Sequence, residues 1–355
     1  VISRALLPAL VAMALAVAGP TPALAQYDED DQTRDHEDVD GSYLERYRQQ
    51  EEETPEANAE EDVEAFLARA ERLIRDRNYR SASSERYRVQ TDDPRLDTRA
   101  AVALLDAFRD YFDAFWRGRM ELAPYDEQSR VFLFYSFHKF NQAIEGDFRY
   151  RTYRPTGHYR SLFDAITLHT DADGPGNLEN ALIHEAAHQL TDQRLYAGEF
   201  APSRWVSEGL AQYFGYTRAD ESGSFRRGEV GGKSAKLLRG VRGSSSELRG
   251  KLRSARTTFK KAGSEAGTLV DRVISIRDPE RFYGEEAPLN YGVSWLLVHF
   301  LLEGEEGARV DGFVRYLELE KQGRGGSDAF YREIGLGPEE LGSALSAHLK
   351  RLDVR

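Results

Sequence analysis

The chain has 355 residues, 40% of them hydrophobic, enough for one large or two moderate domains with real cores. It contains no cysteine, which excludes disulfides, thiolate metal sites and a Cys nucleophile, and leaves eight His and the carboxylates as the metal donors. The net charge of −12 is uneven: residues 26–64 hold 17 Asp and Glu against Arg34, Arg46 and Arg48, so the remaining body is close to neutral and gives no support to nucleic-acid binding.

Residues 1–25 read as a signal peptide: Arg4, an apolar run from Ala5 to Ala18, then the small-residue site Ala23-Leu24-Ala25. The run is short and broken by Gly19 and Pro20, so no integral membrane span is expected once it is removed. An uncleaved anchor is the alternative. Export without cysteine fits a bacterial periplasmic or secreted protein. Residues 26–60, acidic and poor in aliphatics, read as a disordered tether. Within 61–84, Val63, Phe66, Leu67, Ala70 and Leu73 recur at helical spacing, predicting a helical linker.

The ordered body is expected over 85–355. Tyr87–Thr91 is a short strand candidate, followed by a helix with Ala101, Leu104, Leu105, Phe108, Phe112 and Phe115 on one face. Val131–Tyr135 reads as a buried strand and His138–Ile144 as a short helix. Ala165–Thr170 reads as an edge strand with Ile166 and Leu168 inward, Thr167 and His169 outward. Residues 171–176 are turn chemistry, and from Leu178 the chain reads as predominantly helical. The fold class is therefore α+β: a small mixed sheet with an edge strand, a helix pair bearing the site, and a mostly helical C-terminal part.

The turn leads into a helix with Asn177 as its cap, carrying His184-Glu185-Ala186-Ala187-His188. Four residues advance about 400° on a helix, so His184 and His188 project from one face a turn apart and can share one Zn²⁺. Glu185, one step round, can reach a water on the metal without occupying it, as a general base must. A catalytic zinc takes three protein ligands, and Glu208, 20 positions after His188 on a second amphipathic segment, completes a His₂Glu set.

The pattern from His184 to His188, with Trp205-Val206-Ser207-Glu208-Gly209-Leu210-Ala211-Gln212-Tyr213 after it, resembles the gluzincin signature of thermolysin-like and aminopeptidase-like zinc peptidases. From about Tyr87 onward, the order of elements resembles the peptidase-MA-like domains of uncharacterised exported bacterial proteins. That resemblance implies a metallopeptidase with one Zn²⁺ per chain, acting on a peptide or protein substrate. It implies that Tyr291, at the start of the apolar helix Asn290–Leu301, stabilises the developing oxyanion; Tyr283 is the nearest competitor, and His299 is read as structural. It also implies that Ala165 and Thr167, on the edge strand, pair with extended substrate.

Two departures from the pattern stand out. No Gly-Ala-Met-Glu-Asn-like segment precedes the zinc helix, and Gln212 stands where thermolysin-like enzymes carry an Asp supporting a zinc His. The basic stretch 226–261 reads as solvated helical faces, a lid, a dock for the acidic tether or a surface for an anionic partner. Two other functional readings are kept: a catalytically inactive zinc-containing binding or scaffold protein of the cell envelope, and a hydrolase of a non-peptide amide.

Overall fold

Phe132 and Phe134 on one strand face, and Val131 and Leu133 on the other, require a sheet covered on both sides. The computed structural model, which describes residues 56–144, 157–170, 178–197, 200–219, 224–230 and 246–352, is α+β and has that sheet. The expected signal peptide, residues 26–55 of the expected tether, the expected turn over 171–176 with its Asn177 cap, and 231–245 of the basic stretch lie outside the described residues.

Five strands, β1 (Arg80–Ser83), β2 (Tyr87–Thr91), β3 (Ser129–Phe134), β4 (Gly157–Arg160) and β5 (Ala165–His169), lie in the order β1-β2-β3-β5-β4. β2, β3 and β5 run parallel; β1 and β4 flank them antiparallel. One face carries Val89, Val131, Leu133, Ile166 and Leu168 into the main core; the other carries Phe132, Phe134 and Ala165 into a second, smaller core.

Helix α1 (Glu56–Ile74) buries Phe66, Ala70 and Ile74 in that second core, together with Phe140 of α3 (Phe137–Ala143). The expected linker helix is thus a structural layer of the domain. Because α1 and α3 cover this face, Thr167 and His169, expected to point outward to solvent, are buried; His169 packs edge-on against Phe137. On the main-core side lies α2 (Thr98–Trp116), started by the Asp97 side chain, which accepts from the Arg99 and Ala100 backbone N–H groups. Its Phe108, Phe112 and Phe115 are buried as the periodicity predicts.

The helical C-terminal part contains α4 (Leu178–Leu190), α5 (Arg204–Gly215), α6 (Ser246–Ala262), α7 (Ala266–Ser275), α8 (Pro279–Phe282), α9 (Ala287–Glu303), α10 (Val310–Lys321), α11 (Ser327–Ile334) and α12 (Pro338–Arg351). A hairpin of β6 (Thr217–Ala219) and β7 (Phe225–Val230) interrupts it. Reading the region as helical missed this hairpin, because β7 is Arg-rich with no apolar alternation; Phe225 packs against Phe108 and Tyr111, and Arg227 bonds to Glu303. Helix α6 buries Leu252 and Phe259 and exposes Arg253, Arg256, Lys260 and Lys261, as a helix with a solvated basic face does. No described helix is long and apolar enough to cross a membrane.

One expectation is overturned by strand order. β5, read as the edge, is hydrogen-bonded to β3 on one side and β4 on the other. Its backbone groups are spent within the sheet, so Ala165 and Thr167 have no free edge with which to pair a substrate. Thr167 Oγ1 instead donates to the His158 carbonyl at 3.1 Å. The edge is β4.

Candidate metal centre

Helix α4 is buried along most of its length, and His184 and His188 sit one turn apart on it. Their Nε2 atoms lie 3.0 Å from each other. Helix α5 packs against α4 and aims Glu208 between them, with Oε2 3.5 Å from each Nε2. A tetrahedral ion with bonds of about 2.0–2.1 Å spaces its donors about 3.3 Å apart, the scale of this triangle. The three side chains could hold a metal ion.

The chemistry of the donors agrees with the geometry. Glu208 is 1% exposed, and its Oε2 has no hydrogen-bond partner among the described residues. An ionised oxygen buried without a donor is costly unless a cation faces it. Burial alone would raise the Glu208 carboxyl, but His188 and His184 beside it hold it down to about 2, so the group is an anion at neutral pH.

Supporting contacts orient each donor. His188 Nδ1 lies 3.1 Å from Ser207 Oγ, which fixes the ring and leaves Nε2 for the ion. The Tyr283 hydroxyl, just past α8, donates to Glu208 Oε1 at 2.6 Å, leaving Oε2 as the inward oxygen. Gly209 follows Glu208 because α5 crosses α9 there. A Cβ at 209 would stand 2.7 Å from the Ser294 carbonyl oxygen and 2.6 Å from Val298.

Glu185 is 1% exposed, and its Oε2 has no hydrogen-bond partner among the described residues. Burial first, and then the nearby Glu208 charge, push its carboxyl well above the usual carboxylate range; the backbone N–H of Tyr159 on β4 hydrogen-bonds to it and opposes that shift. β4 and α4 are also joined lower down, where Tyr159 and Ser161 both donate to Asp192, four residues beyond His188. Asp192 lies in the π-helical turn Thr191–Tyr196 that continues α4.

His184, Glu185, His188 and Glu208 therefore come together as the sequence predicts. Tyr291 lies near the start of α9, which begins three residues earlier than expected, and is buried in a small cluster with Ala287 and Tyr283, its ring 5.9 Å from that of Tyr283. Of the two tyrosines, Tyr283 is the one hydrogen-bonded to a metal-site side chain. His299 pairs with His348 across α9 and α12, Nδ1 to Nε2 at 3.0 Å, as part of the helical core. Ser207, Asp192, Tyr159 and Gly157 were not foreseen; helical spacing beyond His188 was the one signal that pointed to Asp192.

Residues 180–322 match the model of a family described as a protein of unknown function (DUF1570), a segment that opens within α4 and closes just after α10. No curated protein matches the chain.

Proposed function

We propose that this chain is an exported zinc-dependent metallopeptidase of the gluzincin type, periplasmic or secreted. The observation that carries the reading is the buried triangle of His184 Nε2, His188 Nε2 and Glu208 Oε2, with the Glu185 carboxylate buried on the same helix. Two imidazoles and one carboxylate are an attested zinc set that leaves a position open, and zinc there would polarise the scissile carbonyl and acidify water.

The chain's own residues then have distinct tasks. Glu185, which a cation at the triangle would keep ionised by offsetting the neighbouring Glu208 charge, takes a proton from the attacking water as its oxygen bonds to the carbonyl carbon. The same proton passes to the amide nitrogen as the C–N bond breaks, giving a carboxylic acid and an amine, and the acid then yields its proton to the amine to leave carboxylate and ammonium. The Tyr159 N–H holds the Glu185 carboxylate in place between these transfers. Tyr283 and Ser207 keep Glu208 and His188 aimed. Tyr291, by resemblance to the aminopeptidase-like enzymes, donates to the developing oxyanion.

A digest of a broad peptide library, with and without chelator, tests the reading alongside Glu185→Gln. The expected result is chelator-sensitive cleavage by the wild type, and a variant that keeps stoichiometric zinc and loses turnover. Stoichiometric zinc with no cleavage of any peptide would favour the inactive envelope scaffold.

A further inference from the structure

Between His188 and Glu208 the chain passes through the π-helical turn, reverses at Ala197 in a left-handed conformation (φ 35°), and re-enters helix at Ser203. Helices α4 and α5 pack directly on each other, and the chain between them is anchored at Tyr196 and Ser203. Both are held by one side chain from a distant helix. Glu320, buried on α10, accepts the Tyr196 hydroxyl at 2.8 Å and the Ser203 backbone N–H at 3.3 Å, both on Oε2. Its Oε1 accepts the Tyr316 hydroxyl at 2.6 Å.

The placement suits a carboxylate. Ser203 caps α5, so Glu320 lies at the N-terminal end of the Glu208 helix, where negative charge is favoured. Trp205, in the first turn of α5, stacks on Tyr316, ring centroids 5.8 Å apart, so the same cluster grips the start of that helix. Buried charge is weak evidence for stability, since well-packed apolar side chains often serve as well. What a doubly used carboxylate adds is direction: it fixes where two chain positions sit relative to one another.

We propose that Glu320 is a positioning residue for the metal centre, setting the His188–Glu208 separation by holding both ends of the connection between their helices. The proposal rests on the reading of His184, His188 and Glu208 as a metal site. The family match ends two residues beyond Glu320, so ligands, connection and Glu320 fall within one matched segment.

The experiment uses the full chain, stripped of metal and titrated with Zn²⁺ against a chromophoric chelator, with Co²⁺ absorption as a report on site geometry. Glu320→Gln, Tyr196→Phe and Tyr316→Phe are compared, and the unfolding temperature of each metal-free protein is measured. We expect Glu320→Gln and Tyr196→Phe to bind Zn²⁺ about tenfold more weakly or worse, with altered Co²⁺ spectra, and Tyr316→Phe to bind as the wild type does. If Glu320→Gln does not fold, Tyr196→Phe, which removes a single hydroxyl, carries the comparison. Wild-type affinity in both, or losses in all three that track metal-free stability, would overturn the proposal. A wild-type protein that takes up no stoichiometric zinc would instead overturn the metal-site reading, and this inference with it.

Discussion

Gly157 lies directly against the Glu185 carboxylate: a Cβ at 157 would stand 2.7 Å from Glu185 Oε1 and 2.9 Å from its Cγ. Leu168, on the neighbouring strand, closes the other side at 3.0 Å, so a methyl group there has nowhere to go. Gly157→Ala should therefore displace Glu185 while leaving the three metal-site side chains where they are. We expect full zinc content and peptide turnover reduced by about 10²-fold, the scale at which a general base misplaced by an ångström fails. Metal analysis beside single-turnover kinetics checks it; unchanged turnover would mean that the seat of Glu185 on the edge strand is immaterial.

The two tyrosines of the site should separate by measurement. Tyr283→Phe removes the hydroxyl that holds Glu208 Oε1 but keeps the ring against Phe282 and Tyr291. Its expected effect is on zinc affinity, weaker by about 10–100-fold. Tyr291→Phe should leave zinc affinity intact and lower kcat, because an oxyanion donor acts only in the transition state. If Tyr291→Phe changes neither, Tyr291 is a packing residue, and Tyr283 remains the tyrosine engaged with the site.

What could be read in the sequence, and what could not, follows from range. His184, Glu185 and His188 lie within one helix and Glu208 on the next, so spacing and helical geometry suffice to bring them together. Their supports arrive from far along the chain: Tyr283 from 75 residues beyond Glu208, and Glu320 from 117 beyond Ser203. Periodicity carries no information about such contacts. Strand order is equally silent in a local pattern. β5, with Ala165-Ile166-Thr167-Leu168-His169, has the alternation of a strand with one open face, yet α1 and α3 cover that face. The true edge, Gly157-His158-Tyr159-Arg160, is four residues long with no apolar alternation to announce it.

Asp164, which precedes β5 in a left-handed conformation, should impose a measurable pH dependence. Burial raises its carboxyl to about 6, against hydrogen bonds from Tyr125, Gln189 and Ser129 that favour the charged form. The folded protein thus retains a proton that the unfolded chain releases near 3.8. Stability from this group is present below about pH 4 and is lost as pH rises to about 6, by roughly 3 kcal/mol. Asp164→Asn removes the titration, so its stability relative to the wild type should climb between pH 4 and 6 and level off above. Urea unfolding at several pH values measures this, and a pH-independent difference between the two proteins would refute it.

His299 and His348 should act in the opposite sense. Burial lowers His299 to about 3, helped by the His348 charge, and burial lowers His348 to about 4, so both are neutral in the folded protein at pH 5. The unfolded chain protonates its histidines near 6.5, so the stability they contribute is complete above that pH and drains away as pH falls towards 4. At pH 5 the loss from His348 alone is about 2 kcal/mol. Asp164 gains over part of the same window, against a larger combined loss from the two histidines, so the wild-type profile between pH 4 and 6 is a sum that identifies neither group. The variants separate them. His348→Gln should show a smaller loss of stability from pH 7 to pH 5 than the wild type, whatever its stability at pH 7. Asp164→Asn should show a larger loss over the same interval, because the gain from Asp164 is gone. Equal losses in all three proteins would mean that neither buried group titrates as its surroundings dictate.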